Sequence, residues 1–178
     1  LTNLEVRVMF QKLIKGWFMT GDDSSNEFIS ALIDGDLEAM NYYINEITAN
    51  IFSCFDVAGK EESRIRPENF YHGFVLGLMV DQSENYIITS NRESGYGRYD
   101  IMLEPKDKKS QKYPGIVIEF KVINSRKEKS LEETVAAALK QIENKDYDTE
   151  LVKRGVKKED IHHYGFAFEG KEVLIDGR

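Results

Sequence analysis

The chain has 178 residues, enough for one domain with a sizeable core, or for a compact domain with an appended helical piece. Its composition, 41% hydrophobic and 31% charged, is ordinary for a globular protein, and its net charge of −7 argues against a protein that simply coats nucleic acid with Lys and Arg. Cys54 is the only cysteine, which excludes an intrachain disulfide and a cysteine-based zinc site and suits the cytoplasm. Apolar runs such as Ile116–Ile118 and Phe74–Val80 are too short to cross a bilayer, and the N-terminal residues lack the apolar core of a signal peptide.

Residues 4–18 carry Val6, Met9, Phe10, Leu13, Ile14 and Trp17 at three- and four-residue steps, the pattern of an amphipathic helix. The cluster Gly21-Asp22-Asp23-Ser24-Ser25-Asn26 reads as a turn that can cap the next helix. Two further helical patterns run from Asn26 to Phe55, broken around Gly35-Asp36, with Asp36 as N-cap of the second. A boundary falls near Val57–Pro67, dividing the chain into a helical segment, 1–56, and a second domain, 57–178. Pro67–Val80 reads as a buried helix with Pro67 in its first turn. Tyr86–Ser90 and Arg98–Glu104 read as strands around a hairpin turn at Gly95 and Gly97, and Gly115–Val122 as a third strand. Ser130–Tyr147 reads as a helix whose Ser130 and Glu133 form a capping box. His163–Phe168 and Glu172–Ile175 close the chain as strands around Gly170. The order is helix, three strands, helix, then one or two strands.

Chemistry concentrates on two of these strands. Alternation puts Tyr99, Ile101 and Leu103 on one face of the second strand, with Arg98, Asp100 and Met102 on the other. In the third strand Ile116, Ile118, Phe120 and Val122 share one face, and Val117, Glu119 and Lys121 the other. Charged groups inside so apolar a strand are paired, bind metal, or both, because an unpaired buried charge is costly. If the two strands form a hairpin, Asp100 and Glu119 approach each other, and a cation between two carboxylates relieves their repulsion. Mg²⁺ suits that role, and Lys121 would stand beside a metal-bound water, as metal-assisted phosphodiester hydrolysis requires. The same residues also suit an ordinary cross-strand ion pair of Lys121 with Asp100 or Glu119. Between Pro105 and Lys129 there are eight basic residues and three acidic ones, a local balance of +5. That excess reads either as solvated loops or as a phosphate-facing rim.

Three segments in this order, Phe70-Tyr71-His72-Gly73-Phe74, Ser94-Gly95-Tyr96-Gly97-Arg98-Tyr99-Asp100 and Ile118-Glu119-Phe120-Lys121, resemble the PD-(D/E)XK nuclease superfamily. More narrowly, they resemble a bacterial subfamily that usually carries this domain after an AAA-ATPase-like domain. The resemblance covers about residues 60–178. It implies an α/β (α+β) fold: a restriction-endonuclease-like αβββαβ core with a mixed central sheet flanked by helices. Residues 1–56 resemble the segment that joins the two domains, and a start at Leu1 rather than Met fits a fragment of a longer chain. The resemblance further implies dependence on Mg²⁺ or Mn²⁺ and cleavage of nucleic acid, with DNA the expected substrate and a homodimer an open arrangement. Carried over, Asp100 and Glu119 are metal ligands, the Phe120 backbone carbonyl is a third, and Lys121 is the catalytic lysine. Tyr99 stands where the superfamily's name has proline.

Supporting candidates are Glu68 on the first helix of the domain, His72 one turn later, Glu93 before the glycine turn, Arg98 and Gln141. His72 reads more readily as a satisfied core residue than as a ligand. Some relatives carry a Tyr four residues after the Gln, but here Lys145 occupies that position and Tyr147 falls off the helical face. The adjacent His162-His163 point to opposite faces of a strand and are discounted as a metal pair. A competing reading keeps the fold without the activity: a catalytically silent module that binds nucleic acid or a partner protein beside the ATPase domain.

Overall fold

The computed structural model describes residues 24–57, 67–109, 112–124, 126 and 128–178, with side chains described for 24–49 and, within these ranges, from 71 onward. The helix expected over 4–18, the boundary over 58–66 and the Glu68 side chain lie outside the described residues.

The first two helices are α1 (Ser24–Asp34) and α2 (Leu37–Val57). Gly35 separates them because it takes the left-handed conformation, φ 78°, and the Asp36 N–H closes back on the Ala31 carbonyl at 2.9 Å. This is a Schellman-type stop. Asp36 then caps α2, its Oδ1 accepting the Ala39 N–H at 3.0 Å. Helix α3 (Pro67–Leu78) runs into a short 3₁₀ turn, Val80–Glu84, two residues earlier than the expected helix end.

The strands are β1 (Tyr86–Ser94), β2 (Gly97–Pro105) and β3 (Gly115–Val122), then β4 (Ile161–Glu169) and β5 (Glu172–Gly177). They form one five-stranded sheet in the order β1-β2-β3-β4-β5. Pairing is antiparallel except for β3 with β4, which is parallel, so the sheet is mixed. The parallel step needs a crossover, supplied by α4 (Leu131–Lys145) and α5 (Asp148–Lys153). Ser130 caps α4 by accepting the Glu133 N–H, while the Glu133 carboxylate reaches back to the Lys129 N–H at 2.9 Å. The helix ends at Lys145, not Tyr147, because Asp146 adopts φ 50°. That turn redirects the chain, and α5 was not visible in the residue pattern.

Helices α1, α2 and α3 cover one face of the sheet. Phe28, Leu32, Met40, Ile44 and Val75 meet Ile101, Leu103, Ile116, Ile118, Phe166 and Phe168 there. Helices α4 and α5 cover the other face around Val117, Met102, Ile142, Tyr147 and Leu151. Helix α2 also closes the β5 edge. Asn41 exchanges two hydrogen bonds of 2.8 Å with the Ile175 backbone. Asn45 does the same with Val173 at 2.7 and 2.9 Å, and Thr48 donates to the Lys171 carbonyl at 3.0 Å. The periods agree, since four helical residues advance about 6 Å and two strand residues about 6.6 Å. An edge that would otherwise offer unpaired backbone groups is thereby covered.

Candidate active site

The sheet opens where β2 leaves β3. Pairing of the two strands runs through Leu103↔Ile116, Met102↔Val117 and Ile101↔Ile118. The next rung would be Asp100↔Glu119, and there the ladder stops. Across the hairpin from Asp100, Asn91 takes φ 51°. The side-chain alternation slips at the same place. Tyr99, expected beside Ile101 and Leu103, lies instead in the opposite core cluster with Met102 and Val117. Its hydroxyl shares a hydrogen bond of 2.7 Å with Thr89 Oγ1.

Asp100 bridges the opening with its side chain. Its Oδ2 accepts the Phe120 N–H at 2.8 Å. Because a strand residue's N–H and C=O leave on the same side, the Phe120 carbonyl is directed toward β2 as well. Behind Asp100, His72 Nε2 lies 3.2 Å from the Asp100 carbonyl, and Asn91 Nδ2 lies 3.4 Å from His72 Nδ1. The tautomer that satisfies both contacts has Nε2–H donating and Nδ1 accepting. The His72 ring also packs edge-on against Phe120 at 5.7 Å. His72 therefore holds the backbone that carries Asp100.

Glu119, 4% exposed, is buried under α4. Gln141 joins it to Lys121. The amide oxygen accepts from Lys121 Nζ at 2.9 Å, and the amide nitrogen donates to Glu119 Oε1. A glutamine fits between an ammonium and a carboxylate because it offers an acceptor to one and a donor to the other. Gly165 lets α4 come close enough for this. It pairs with Glu119 across β3–β4, and a Cβ on it would lie 2.9 Å from the Val135 carbonyl and 3.1 Å from Ala138 Cβ.

Tyr147 is the residue that the helical pattern dismissed. The left-handed turn at Asp146 swings it back over the site, where its hydroxyl donates to the Arg98 carbonyl at 2.7 Å and lies 3.4 Å from Gln141 Nε2. Burial raises its pKa, and the negative charges of Glu119 and Asp100 raise it further, against a lowering by the Gln141 hydrogen bond. It stays a neutral donor. Only a signal for the αL residue, such as Asp at the end of a helix with Gly absent, could have suggested this path.

The other candidates separate. Arg98 contributes its backbone carbonyl, while its side chain is exposed. Glu93 is exposed on β1, across from Arg98. Of the basic excess, Lys106, Lys108, Lys109 and Lys112 lie beyond the far end of β2, away from Asp100. Lys108 pairs with Glu104 at 2.8 Å, and Lys106 donates to the Ser83 carbonyl at 2.7 Å. Among the described residues a continuous phosphate rim is thus not formed; Lys121, Arg126 and Lys129 are its members at the site end of β3. The two adjacent histidines do diverge: His162 Nδ1 meets the Tyr164 hydroxyl at 3.0 Å, and His163 Nε2 meets Asp148 on the other side at 2.5 Å.

Among the described residues no group of three or more His, Cys, Asp or Glu side chains is gathered to hold a metal. Mg²⁺ does not require one, since it takes one or two carboxylates and keeps several waters. Asp100, Glu119 and the Phe120 carbonyl, all hard oxygen donors at one break in the sheet, have the right chemistry for such an ion.

Residues 66–177 match the family model of the PD-(D/E)XK nuclease superfamily. The chain belongs to that superfamily. No curated protein and no solved structure matches it significantly. The mixed sheet with helices on both faces is the restriction-endonuclease-like arrangement of the PD-(D/E)XK fold. No described helix is long and apolar enough to cross a membrane.

Proposed function

We propose that this PD-(D/E)XK domain hydrolyses phosphodiester bonds of DNA with Mg²⁺ or Mn²⁺. The observation that carries the reading is the Lys121–Gln141–Glu119 bridge, set beside Asp100 where the β2–β3 ladder stops. Asp100, Glu119 and the Phe120 carbonyl would hold the cation. When bound, it supplies positive charge to the phosphate oxygens and favours deprotonation of a nearby water.

The remaining work falls to the chain. Lys121 has three N–H donors, and Gln141 takes one. The others are available to orient the attacking water and to stabilise charge on a non-bridging phosphate oxygen. Water attacks phosphorus and loses a proton to solvent, the bond to the leaving deoxyribose oxygen breaks, and that oxygen takes up a proton from solvent. Gln141 connects Lys121 to Glu119 through its amide, accepting from the ammonium and donating to the carboxylate. Tyr147 and His72 hold the two β2 carbonyls that flank Tyr99, at Arg98 and Asp100.

The organisation we infer is a nuclease domain over 57–178, with 1–56 joining it to an AAA-ATPase-like domain in a bacterial cytoplasmic protein, and a homodimer is the assembly to test. Helix α2, which bonds the β5 edge, would then fasten the join to the sheet. Incubating the protein with single- and double-stranded DNA and RNA, with either metal or with EDTA, tests the reading. Metal-dependent cleavage that is lost in Lys121→Ala and Glu119→Ala supports it. Cleavage that survives both substitutions, or none on any substrate together with no metal heat by calorimetry, sinks it in favour of a silent binding module.

A further inference from the structure

The β1–β2 hairpin ends in Gly95 and Tyr96, and Tyr96 is 81% exposed, the most exposed large hydrophobic residue among those described. The turn has a positive φ at its first position, Gly95 at 56°, as a type II′ hairpin requires. Its second position has no need of an aromatic side chain; Asn, Ser or Thr would serve. The backbone under Tyr96 is nonetheless anchored. The Tyr96 N–H donates to the Lys145 carbonyl at 2.7 Å, and Ser94 Oγ donates to the Tyr147 carbonyl at 2.7 Å while accepting the Glu150 N–H at 3.2 Å. Gly95 is pressed so tightly on the end of α4 that a Cβ would fall 2.1 Å from the Lys145 carbonyl.

This tip abuts the site. A Cβ on Gly97 would lie 3.2 Å from the Tyr147 hydroxyl, which itself neighbours Gln141. Asp100 is four residues from Tyr96 along β2, about 13 Å at ~3.3 Å per residue. The exposed side chains of Arg98 and Lys145 flank the tip, opposed by the exposed Glu93 and Asp146.

We propose that Tyr96 is a stacking platform for an unpaired nucleobase of the substrate strand, with Arg98 and Lys145 meeting the adjoining phosphates. The proposal rests on the nuclease reading and adds a substrate class to it: a strand whose base near the cut is unstacked, in a single strand or a frayed end. A tyrosine on an anchored backbone suits this because its ring face accepts any base and few side-chain torsions need ordering on binding.

The test is binding, measured apart from cleavage. Fluorescein-labelled oligothymidylate, the same strand made abasic, and a blunt duplex are titrated in EDTA by anisotropy with wild type, Tyr96→Ala and Tyr96→Phe. Thermal midpoints check that the exposed substitutions leave the fold intact. Tyr96→Ala should weaken oligothymidylate binding roughly 5- to 100-fold. Tyr96→Phe should bind like wild type, and the abasic strand should bind all three proteins alike. Equal affinity of Tyr96→Ala and wild type for oligothymidylate overturns the platform, as does an equal loss on the abasic strand. If wild type still cuts DNA in that case, the nuclease reading stands alone. If the expected binding pattern appears without cleavage by wild type, the platform stands and the nuclease reading falls. If wild type neither binds nor cuts any of these, both fall.

Discussion

The two faces of the sheet are built from opposite materials. The face under α1, α2 and α3 is apolar along β2, β3 and β4, with Ile101, Leu103, Ile116, Ile118, Phe120, Phe166 and Phe168 in one core cluster. The face under α4 and α5 starts apolar at Met102 and Val117, then turns polar at Glu119 and Lys121. The same strand, β3, supplies both. The first face can be stable without any specific partner, since burial there is non-directional. The second must satisfy each polar group individually, so it depends on where Gln141 and Tyr147 are carried. Stability and chemistry are thus separable across a single layer of backbone.

Mutations on the two faces should separate in the same way. Lys121→Ala should lower cleavage on the order of 10³-fold in single-turnover assays while leaving the thermal midpoint nearly unchanged. A cleavage loss of less than tenfold would break the contrast. Phe166→Ala, on the apolar face, should cost about 3–5 kcal/mol in denaturant titrations, with specific activity per folded molecule little altered. Gly165→Val should show both effects, because it lifts α4 from the sheet: about 1–3 kcal/mol of stability and a loss of cleavage together. An active, destabilised Gly165→Val protein would show that the Gln141 bridge is dispensable.

Smaller effects sharpen the comparison. Tyr147→Phe leaves the Arg98 carbonyl without its donor, for about 1–3 kcal/mol, and should raise the metal concentration needed for half-maximal cleavage. The smallest concerns the apolar side. Burial lowers the His162 pKa, His163 adds to the lowering, and Asp160 opposes it. Because the folded pKa is below the ordinary value, the unfolded chain binds the extra proton first. Stability from this group is therefore complete above about pH 6.5 and declines as pH falls from there toward the folded pKa. His162→Gln should flatten that part of a thermal-midpoint profile, and a profile identical to wild type would remove His162 as its source.

Much of the fold was legible because its signals are local. Gly35 and Asp36 stop and restart helices through bonds within six residues, and the alternation of β3 placed Glu119 and Lys121 together on the side opposite Ile118 and Phe120. Other features were not, for physical reasons. Tyr99 appeared to share a face with Ile101, but the alternation slips at Asp100, where β2 parts from β3. The lysines after Pro105 looked like a rim in one dimension, yet the hairpin sends Lys106, Lys108, Lys109 and Lys112 to the end of the sheet away from Asp100. Tyr147 looked displaced from the helix face that carries Gln141. One left-handed residue, Asp146, returned it.

By itself, then, the sequence determined the family, the order of elements and the residues in which polar chemistry interrupts an apolar strand, because hydrophobic periodicity and turn chemistry act over a few residues. Only the tertiary structure decided how those residues are joined: Asp100 to the Phe120 amide, Lys121 to Glu119 through Gln141, and Tyr147 to the Arg98 carbonyl. Those bonds span 20 to 49 positions in the chain. They depend on a break in strand pairing, on the close approach of α4 over Gly165 and on a single αL turn, none of which leaves a periodic trace in the residues.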